Sequence, residues 1–400
     1  MNAPTSAGPL AGLKVVELGT LIAGPYCARL LAEFGAEVVK VETPGEGDPL
    51  RKWRMLHEGN SLWWYAQARN KKSVAVNLKD PEGQEVVRRL VAGADILVEN
   101  FRPGALEKWG LGYEALARDN PRLIMVRLSG FGQTGPYKDR PGFGAIGESM
   151  GGMRYITGYP DRAPVRVGIS IGDSLAAMFG VIGALMALHH RTQSGKGQVV
   201  DVALYEAVFA MMESMLPEYG MGGFVRERSG AALPGIVPSN TYPCRDGKYV
   251  VIGANADSIF KRMMRAIGRP DLADDPTLAS NDGRVKRTGE LDGVIGEWTS
   301  RHSLDEALAV LEKAEVPSGR IYSIADIAAD LHYQARGMIE RHKLGGGEVL
   351  LPGVVPKLSR TPGATRWIGP RLGEHTDEVL ASLGYDAARI AELRQSRAVA

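Results

Sequence analysis

The chain has 400 residues, a formal net charge of +2 and 44% hydrophobic residues. A length of this size exceeds what one hydrophobic core usually organises, so we expect two domains or one domain with a large insertion. The charge is too small for the basic field of a nucleic-acid-binding protein, and the composition excludes a disordered chain or a fibre.

The lack of a recognisable targeting signal and the cysteine usage together predict a cytoplasmic protein. The first ten residues lack the patterns of a signal peptide and of a transit peptide. The longest apolar stretch, about residues 174–188, is too short for a bilayer and predicts a buried helix. Cys27 and Cys244 lie in unrelated segments, which fits a reducing compartment. We therefore expect neither a membrane nor a nucleic acid among the partners.

From Lys14 to about Leu204, short β-branched runs alternate with helical stretches, which predicts βαβ units and a parallel sheet. Nearly continuous Val, Ile and Leu in the runs is typical of strands covered on both faces. The predicted strands are residues 15–18, 37–41, 73–78, 94–99, 122–128 and 198–204. The predicted helices are residues 24–34, 81–91 and 103–117, and an apolar helix that follows Gly172-Asp173 and ends near His190.

The regular pattern breaks down around residues 219–238, where Gly, Pro and Ser cluster, and this predicts a domain junction or an active-site loop. A compact unit follows, with a strand at 249–252 and helices at 258–267 and 304–314. Two further helices are predicted near Asp377 and Ala387.

Two features of the α/β part are candidates for a site. The segment from Gly19 to Pro25 lies between the first strand and the first helix, where backbone N–H groups favour an anion. Its spacing is neither GxGxxG nor that of a P-loop, so a plain tight turn explains it equally well.

The second candidate is Asp173, which precedes the apolar helix. Its carboxylate could cap that helix, or it could be a nucleophile kept ionised by the helix dipole.

Basic residues gather at predicted strand ends, where α/β proteins usually bind ligands. Lys71, Lys72 and Lys79 bracket one strand, and Arg102 and Lys108 follow the strand that ends at Glu99. Converging cations suit a polyphosphate, although a solvated surface is the simpler explanation for each charge alone. The seven histidines show no metal-ligand spacing, so no metal is expected.

Taken together, several segments resemble the family III CoA-transferases, in order and over nearly the whole chain. Each motif is weak by itself, and together they are specific. The segments are Gly24-Pro25, Lys40-Val41-Glu42, Gly47-Asp48, residues 70–73, 98–104 and 130–136, Gly172-Asp173, and residues 195–198 and 373–377.

This resemblance implies an α/β fold with a Rossmann-like large domain built from both chain ends and a smaller inserted α+β domain. The implied bounds are 1–205 and 330–400 for the large domain, 206–225 for a linker and 226–329 for the small domain. It also implies an interlaced homodimer.

By the same resemblance, Asp173 attacks an acyl-CoA thioester and passes through a mixed anhydride to an aspartyl-CoA thioester. CoA enters as part of the substrate, and no bound cofactor is implied. The residues implied to bind CoA, with the added lysines of the basic group, are Ile22, Ala23, Lys71, Lys72, Val76, Leu78, Lys79, Asn100, Phe101, Arg102, Lys108 and Phe143.

Departures from the family pattern limit the substrate. Thr43 replaces a CoA-contacting Arg, Ile22 replaces a Gln, and a four-glycine loop is missing, which disfavours formyl and oxalate. The alternatives are an α-methylacyl-CoA racemase and a non-catalytic CoA-binding protein. Phe143 stands where the racemase needs a His, so one of its two bases is absent. Asp173 directly after Gly172 argues against the non-catalytic protein.

The segment from residue 61 to residue 76 is similar to members that use succinyl-CoA as donor. It implies a dicarboxylate acceptor such as glutarate or itaconate, or the sulfinate 3-sulfinopropionate. A second carboxylate favours a bidentate Arg. The candidates are Arg51, Arg54, Arg69, Arg166 and Arg228.

Overall fold

The computed structural model describes residues 8–400. The first ten residues, for which the sequence predicts no targeting signal, lie mostly outside the described residues. The contacts divide the chain into two compact units. The large unit comprises the described residues up to Arg154, Val167–Phe224 and Ala335–Ala400. The small unit comprises Tyr155–Arg166 and Val225–Gln334. The domain bounds expected from the sequence stay a prediction.

The elements follow in chain order. The strands are β1 Lys14–Glu17, β2 Glu37–Glu42, β3 Leu56–His57, β4 Asn60–Ser61, β5 Lys71–Ala75, β6 Ile96–Glu99, β7 Ile124–Ser129, β8 Val199–Ala203, β9 Ser239–Pro243, β10 Tyr249–Gly253, β11 Ser318–Arg320, β12 Ile339–Leu344 and β13 Gly347–Pro352. The helices are α1 Ala23–Glu33, α2 Leu62–Gln67, α3 Pro81–Ala92, α4 Ala105–Lys108, α5 Tyr113–Asp119, α6 Gly144–Met150, α7 Met153–Ile156, α8 Ile171–Ser194, α9 Leu204–Phe209, α10 Met215–Gly222, α11 Asp257–Ala266, α12 Pro270–Ala273, α13 Asn281–Lys286, α14 Thr288–Ser300, α15 Leu304–Lys313, α16 Ile324–Ala329, α17 Leu331–Ala335, α18 Thr376–Ser382 and α19 Ala387–Gln395.

A parallel sheet of order β5-β2-β1-β6-β7-β8 forms the centre of the large unit, which confirms the predicted α/β class. Successive side chains of a strand point to opposite faces of the sheet, and both faces are covered here by helices. Val15 and Val38 pack in one core with residues of α1 and α8. Val16 and Val39 pack in the other core with residues of α3, α18 and α19.

Most predicted bounds shift by one or two residues, and two elements in the first part of the chain differ more substantially. The strand expected at 73–78 begins at Lys71 and ends at Ala75, so Lys71 belongs to the sheet. The helix expected at 103–117 is two helices, α4 and α5, because Gly110 adopts the left-handed conformation that ends a helix. The β12–β13 hairpin was not predicted, although the glycines at 345–347 are a turn signal.

Helix α8 is longer than predicted, with 24 residues. By length and composition alone it could cross a membrane. Small residues on one side instead let it pack on the sheet: a Cβ on Gly180 would lie 3.1 Å from Cγ1 of Val126 in β7. The opposite side exposes large apolar side chains, namely Met178, Ile182, Leu185 and Met186.

The small unit contains an antiparallel sheet of order β11-β10-β9. Its core joins the sheet to α11, α14 and α15 through residues such as Ile252, Phe260 and Ile295. The Tyr242 hydroxyl donates to Asp292 at 2.6 Å, which ties β9 to α14. The small unit therefore has a hydrophobic core of its own, as expected for a chain of this length.

Candidate active site

Asp173 lies inside the first turn of α8 and not at its N-cap, which is Ser170. The predicted N-cap position was therefore wrong, because α8 begins two residues before Asp173. Its carboxylate lies against Gly144, the first residue of α6: a Cβ on residue 144 would be 2.0 Å from Oδ2 of Asp173. Two helix N-termini thus meet at this partly exposed carboxylate. Helix dipoles favour a negative charge there. A charged carboxylate is the form that can act as a nucleophile.

Glycines make this meeting possible. A Cβ on Gly172 would lie 3.0 Å from the carbonyl oxygen of Gly144, so α6 and α8 approach each other closely. The loop after β7 also closes on itself, since a Cβ on Gly130 would be 2.7 Å from Cα of Gly142. This loop ends at Phe143, the N-cap residue of α6, and 69% of the Phe143 surface is exposed. Phe143 therefore directly precedes the glycine against which the Asp173 carboxylate lies, and its side chain is open to solvent.

A cavity of about 550 Å³ lies in the large unit at the carboxyl ends of β2 and β5, and we call it the strand-end cavity. The sequence-predicted residues Val76, Leu78, Lys79 and Phe101 all line it. Phe101 meets Trp109, another lining residue, edge to face at 5.4 Å between ring centroids. Apolar walls with a lysine beside them suit a ligand that has an apolar or aromatic part and an anionic part.

Asn100 holds the turn that precedes α1. Its side-chain oxygen accepts from Thr20 N at 2.8 Å and its amide donates to Thr20 O at 2.9 Å. Ile22 and Ala23, which continue this turn, are buried and can offer a ligand little more than backbone groups. Thr20 itself lines the strand-end cavity. Asn100 therefore shapes the cavity wall.

Lys71 and Lys72 do not line the strand-end cavity, although Lys79 does. The Lys71 ammonium is fully buried, 2.7 Å from Glu17 Oε2, and donates to Pro25 O. Burial lowers the pKa of Lys71 to about 8. Lys72 pairs with Glu37 and Glu378 and lines a different cavity of about 750 Å³. The two lysines are therefore engaged in ion pairs within the large unit and do not line the strand-end cavity.

A buried ion network under the Gly19–Pro25 turn was missed by reasoning from the sequence. Lys40 lies 2.8 Å from both Glu17 and Asp48. Burial alone would lower the pKa of Lys40, but Asp48 and Glu17 raise it above its usual value. Asp48 also accepts from the backbone N–H of Leu21, which has a φ of 63°. Charged residues within β-branched runs were the available signal, because buried charges need partners.

The remaining basic candidates have different surroundings. Arg102 and Lys108 are exposed and do not line the strand-end cavity. Of the five arginines considered for a distal carboxylate, Arg51 and Arg69 are buried in ion pairs with Glu42 and Glu33. The others have exposed or half-buried side chains and are Arg54, Arg166 and Arg228.

Comparisons with known proteins agree on the type of chain. The model of CoA-transferase family III matches residues 10–376. A succinyl-CoA–D-citramalate CoA-transferase of Chloroflexus aurantiacus is 52% identical, and the alignment covers 100% of both chains. The succinyl-CoA–L-malate CoA-transferase beta subunit of the same organism is 43% identical, again over 100% of both. A crystal structure of a CAIB/BAIF family protein from Brucella suis has a TM-score of 0.83 and 37% identity, and covers 94% of this chain and 100% of that one.

Proposed function

The chain belongs to CoA-transferase family III, and on that premise we propose that it moves CoA from succinyl-CoA to a dicarboxylate with Asp173 as the nucleophile. The observation that carries the proposal is the Asp173 carboxylate between the N-termini of α6 and α8. A carboxylate nucleophile must be reachable, and its charged form must be favoured. The Asp173 carboxylate is partly exposed, and helix N-termini favour a negative charge, which supports the proposal.

The proposed reaction proceeds by four acyl transfers. The Asp173 carboxylate attacks the thioester carbonyl of succinyl-CoA, which gives a succinyl-aspartyl anhydride and CoA thiolate. The thiolate attacks the aspartyl carbonyl, forms the aspartyl-CoA thioester and releases succinate. A carboxylate of the acceptor then attacks this thioester, which forms a new anhydride and frees the thiolate again. Attack of the thiolate on the acceptor's carbonyl yields the product thioester and restores Asp173. Each step has an activated carbonyl and a good leaving group, so one difficult exchange becomes several easier ones.

CoA is proposed to occupy the strand-end cavity. Lys79 would contact a phosphate, while Val76, Leu78, Phe101 and Trp109 would pack against apolar parts of the ligand. The carboxyl ends of parallel strands are the usual ligand edge of an α/β sheet. Phe143 would contact the thioester end near Asp173. In this proposal Lys71 and Lys72 support the fold and do not contact CoA.

The proposed acceptor class is a dicarboxylate with a hydroxyl group beside one carboxylate. The two relatives described above are named for D-citramalate and L-malate, which share that chemistry. Glutarate, itaconate and 3-sulfinopropionate lack the hydroxyl and are expected to be slower acceptors. Racemase activity is disfavoured because Phe143 offers no base.

A homodimer, interlaced as the family resemblance implies, and a cytoplasmic location complete the proposal. Support for a partner comes from the exposed apolar side of α8, at Met178, Ile182, Leu185 and Met186. Contiguous apolar surface of this kind usually marks an interface. A second copy of the chain is the occupant we propose.

The test is CoA transfer from succinyl-CoA to D-citramalate, L-malate, glutarate, itaconate and 3-sulfinopropionate, with Asp173→Asn as control. We expect turnover of a hydroxy dicarboxylate that the control lacks. Intact-protein mass spectrometry after mixing with succinyl-CoA should detect a covalent CoA adduct in the wild type only. Turnover that survives in Asp173→Asn would contradict the assigned nucleophile. Turnover of only the acceptors that lack the hydroxyl group, namely glutarate, itaconate or 3-sulfinopropionate, would contradict the acceptor class.

A further inference from the structure

The C-terminal tail returns to the sheet beside the strand-end cavity. Val399 forms an antiparallel bridge with Val76, directly after β5. Asn77 N donates to Ala398 O at 2.8 Å, and Ala400 N donates to Ala75 O at 3.1 Å. Ala398 and Val399 are both buried. These bonds fix the tail and place the exposed residue Arg397 among the residues that line the cavity.

Arg397 has an uncommon backbone conformation for its residue type. It follows the last turn of α19 with a φ of 63°, in the left-handed region. Its N–H donates to Arg394 O at 3.0 Å, and the next N–H, of Ala398, donates to Leu393 O at 2.9 Å. Glycine is the usual residue where a helix ends in this way. An arginine kept in a conformation that glycine adopts more easily suggests a task for its side chain.

The charges around the cavity leave this side chain available. Lys40 and Asp48 neutralise each other, and Glu42 pairs with Arg51. Within residues 8–400, no hydrogen bond or ion pair engages the Arg397 guanidinium or the Lys79 ammonium. These two cations and the carboxylate of Glu46 are therefore the uncompensated charges on the lining.

We propose that Arg397 is a further substrate-binding residue, which with Lys79 contacts a phosphate group of CoA at the strand-end cavity. The proposal rests on the proposed function, since it assumes that a CoA thioester occupies this cavity. A guanidinium suits the task because its planar set of donors matches two phosphate oxygens at once. The contact would join the last residues of the chain to a site otherwise built from the first 110.

Arg397→Gly is the decisive variant, because glycine removes the guanidinium and also accepts the left-handed backbone. We expect the KM for succinyl-CoA and the Kd for free CoA to rise about tenfold, as for one lost charge-assisted hydrogen bond. We expect kcat to change less than about twofold. The melting temperature should stay level or rise. Arg397→Lys should restore part of the affinity.

Two controls make the assignment specific. Arg394→Gln removes a neighbouring charge that pairs with Asp377 and does not line the cavity, so its KM should equal that of the wild type. Succinyl-pantetheine carries no phosphate, so the wild type and Arg397→Gly should use it equally well. A loss of the same size with succinyl-pantetheine would overturn the phosphate contact.

The outcomes separate this inference from the proposed function. If the wild type transfers CoA and Arg397→Gly keeps its KM and Kd, the inference is overturned and the function stands. If CoA binds in an Arg397-dependent way but no acid is turned over, the inference stands and the function fails. A wild type that binds no CoA by calorimetry overturns both.

Discussion

Gly144→Ala is the substitution that most directly tests the position of the proposed nucleophile, Asp173. A Cβ on residue 144 would lie 2.0 Å from Oδ2 and 2.8 Å from Cγ of Asp173. Ordinary van der Waals contact needs about 3.5 Å, so the carboxylate would have to move by about 1.5 Å. A 1 Å displacement of a reacting group can cost roughly 100-fold in rate, or about 2.7 kcal/mol of barrier. We therefore expect kcat for CoA transfer to fall about 100-fold or more.

The folded state should tolerate the same change. The atom that must give way ends a side chain that is only partly buried, and alanine is a better helix residue than glycine. We expect the free energy of unfolding to change by no more than about 1 kcal/mol. Urea unfolding measures the change in the free energy of unfolding separately from the change in kcat. Gly93→Ala is the matched control, because a Cβ there meets no atom within 4 Å. Its rate should equal that of the wild type.

The assay follows the product thioester by liquid chromatography, with succinyl-CoA and the best acceptor at saturation. A Gly144→Ala enzyme with near-normal kcat would refute the reasoning, because the Asp173 carboxylate could not then react from its observed position. A covalent CoA adduct that forms at the normal rate in this variant would refute it equally.

Two further predictions concern the fold and the assembly. Asp48→Asn should lower the free energy of unfolding at pH 7 by about 3 kcal/mol, because Lys40 then keeps a buried charge with one acidic neighbour fewer. Burial would raise the pKa of Asp48, but the charge of Lys40 and the hydrogen bonds that the Asp48 carboxylate accepts hold that pKa below its usual value of 3.8. The contribution of Asp48 to the free energy of unfolding is therefore present above about pH 4 and lost as the pH falls through the folded-state pKa. Urea midpoints should decline over this range in the wild type more than in Asp48→Asn, and parallel declines would contradict the role of Asp48. Leu185→Glu puts a charge on the exposed apolar side of α8 and should shift light-scattering mass from dimer to monomer, whereas a dimer of unchanged stability would exclude this side as the interface.

Much of the architecture was predictable because it depends on local patterns. The β-branched runs separated by helical stretches identified the strands of the parallel sheet, with bounds mostly within two residues. The family and the CoA-transferase activity were recognisable from a set of short motifs in order, and the family comparison confirms them. The break in the helix at Gly110 was missed, because a glycine within an otherwise helical pattern is tolerated more often than it ends the helix.

The fate of each charge was not a local property. Lys71 and Lys79 bracket the same strand and look alike in the sequence, yet Lys71 is buried against Glu17 and Lys79 lines a cavity. The difference arises because Lys71 lies within β5 and its ammonium reaches Glu17 of β1, whereas Lys79 lies beyond the end of β5.

The sequence by itself determined the alternation of strands and helices, the family and the identity of Asp173 as the residue to test. These rest on side-chain periodicity and on short contiguous motifs, which survive without knowledge of neighbours. Only the tertiary structure decided that Gly144 lies against the Asp173 carboxylate and that Arg397 reaches the cavity beside Lys79. The physical reason is that electrostatics and steric contact depend on distance in space, and residues 79 and 397 line one cavity only because the tail pairs with the chain at the end of β5.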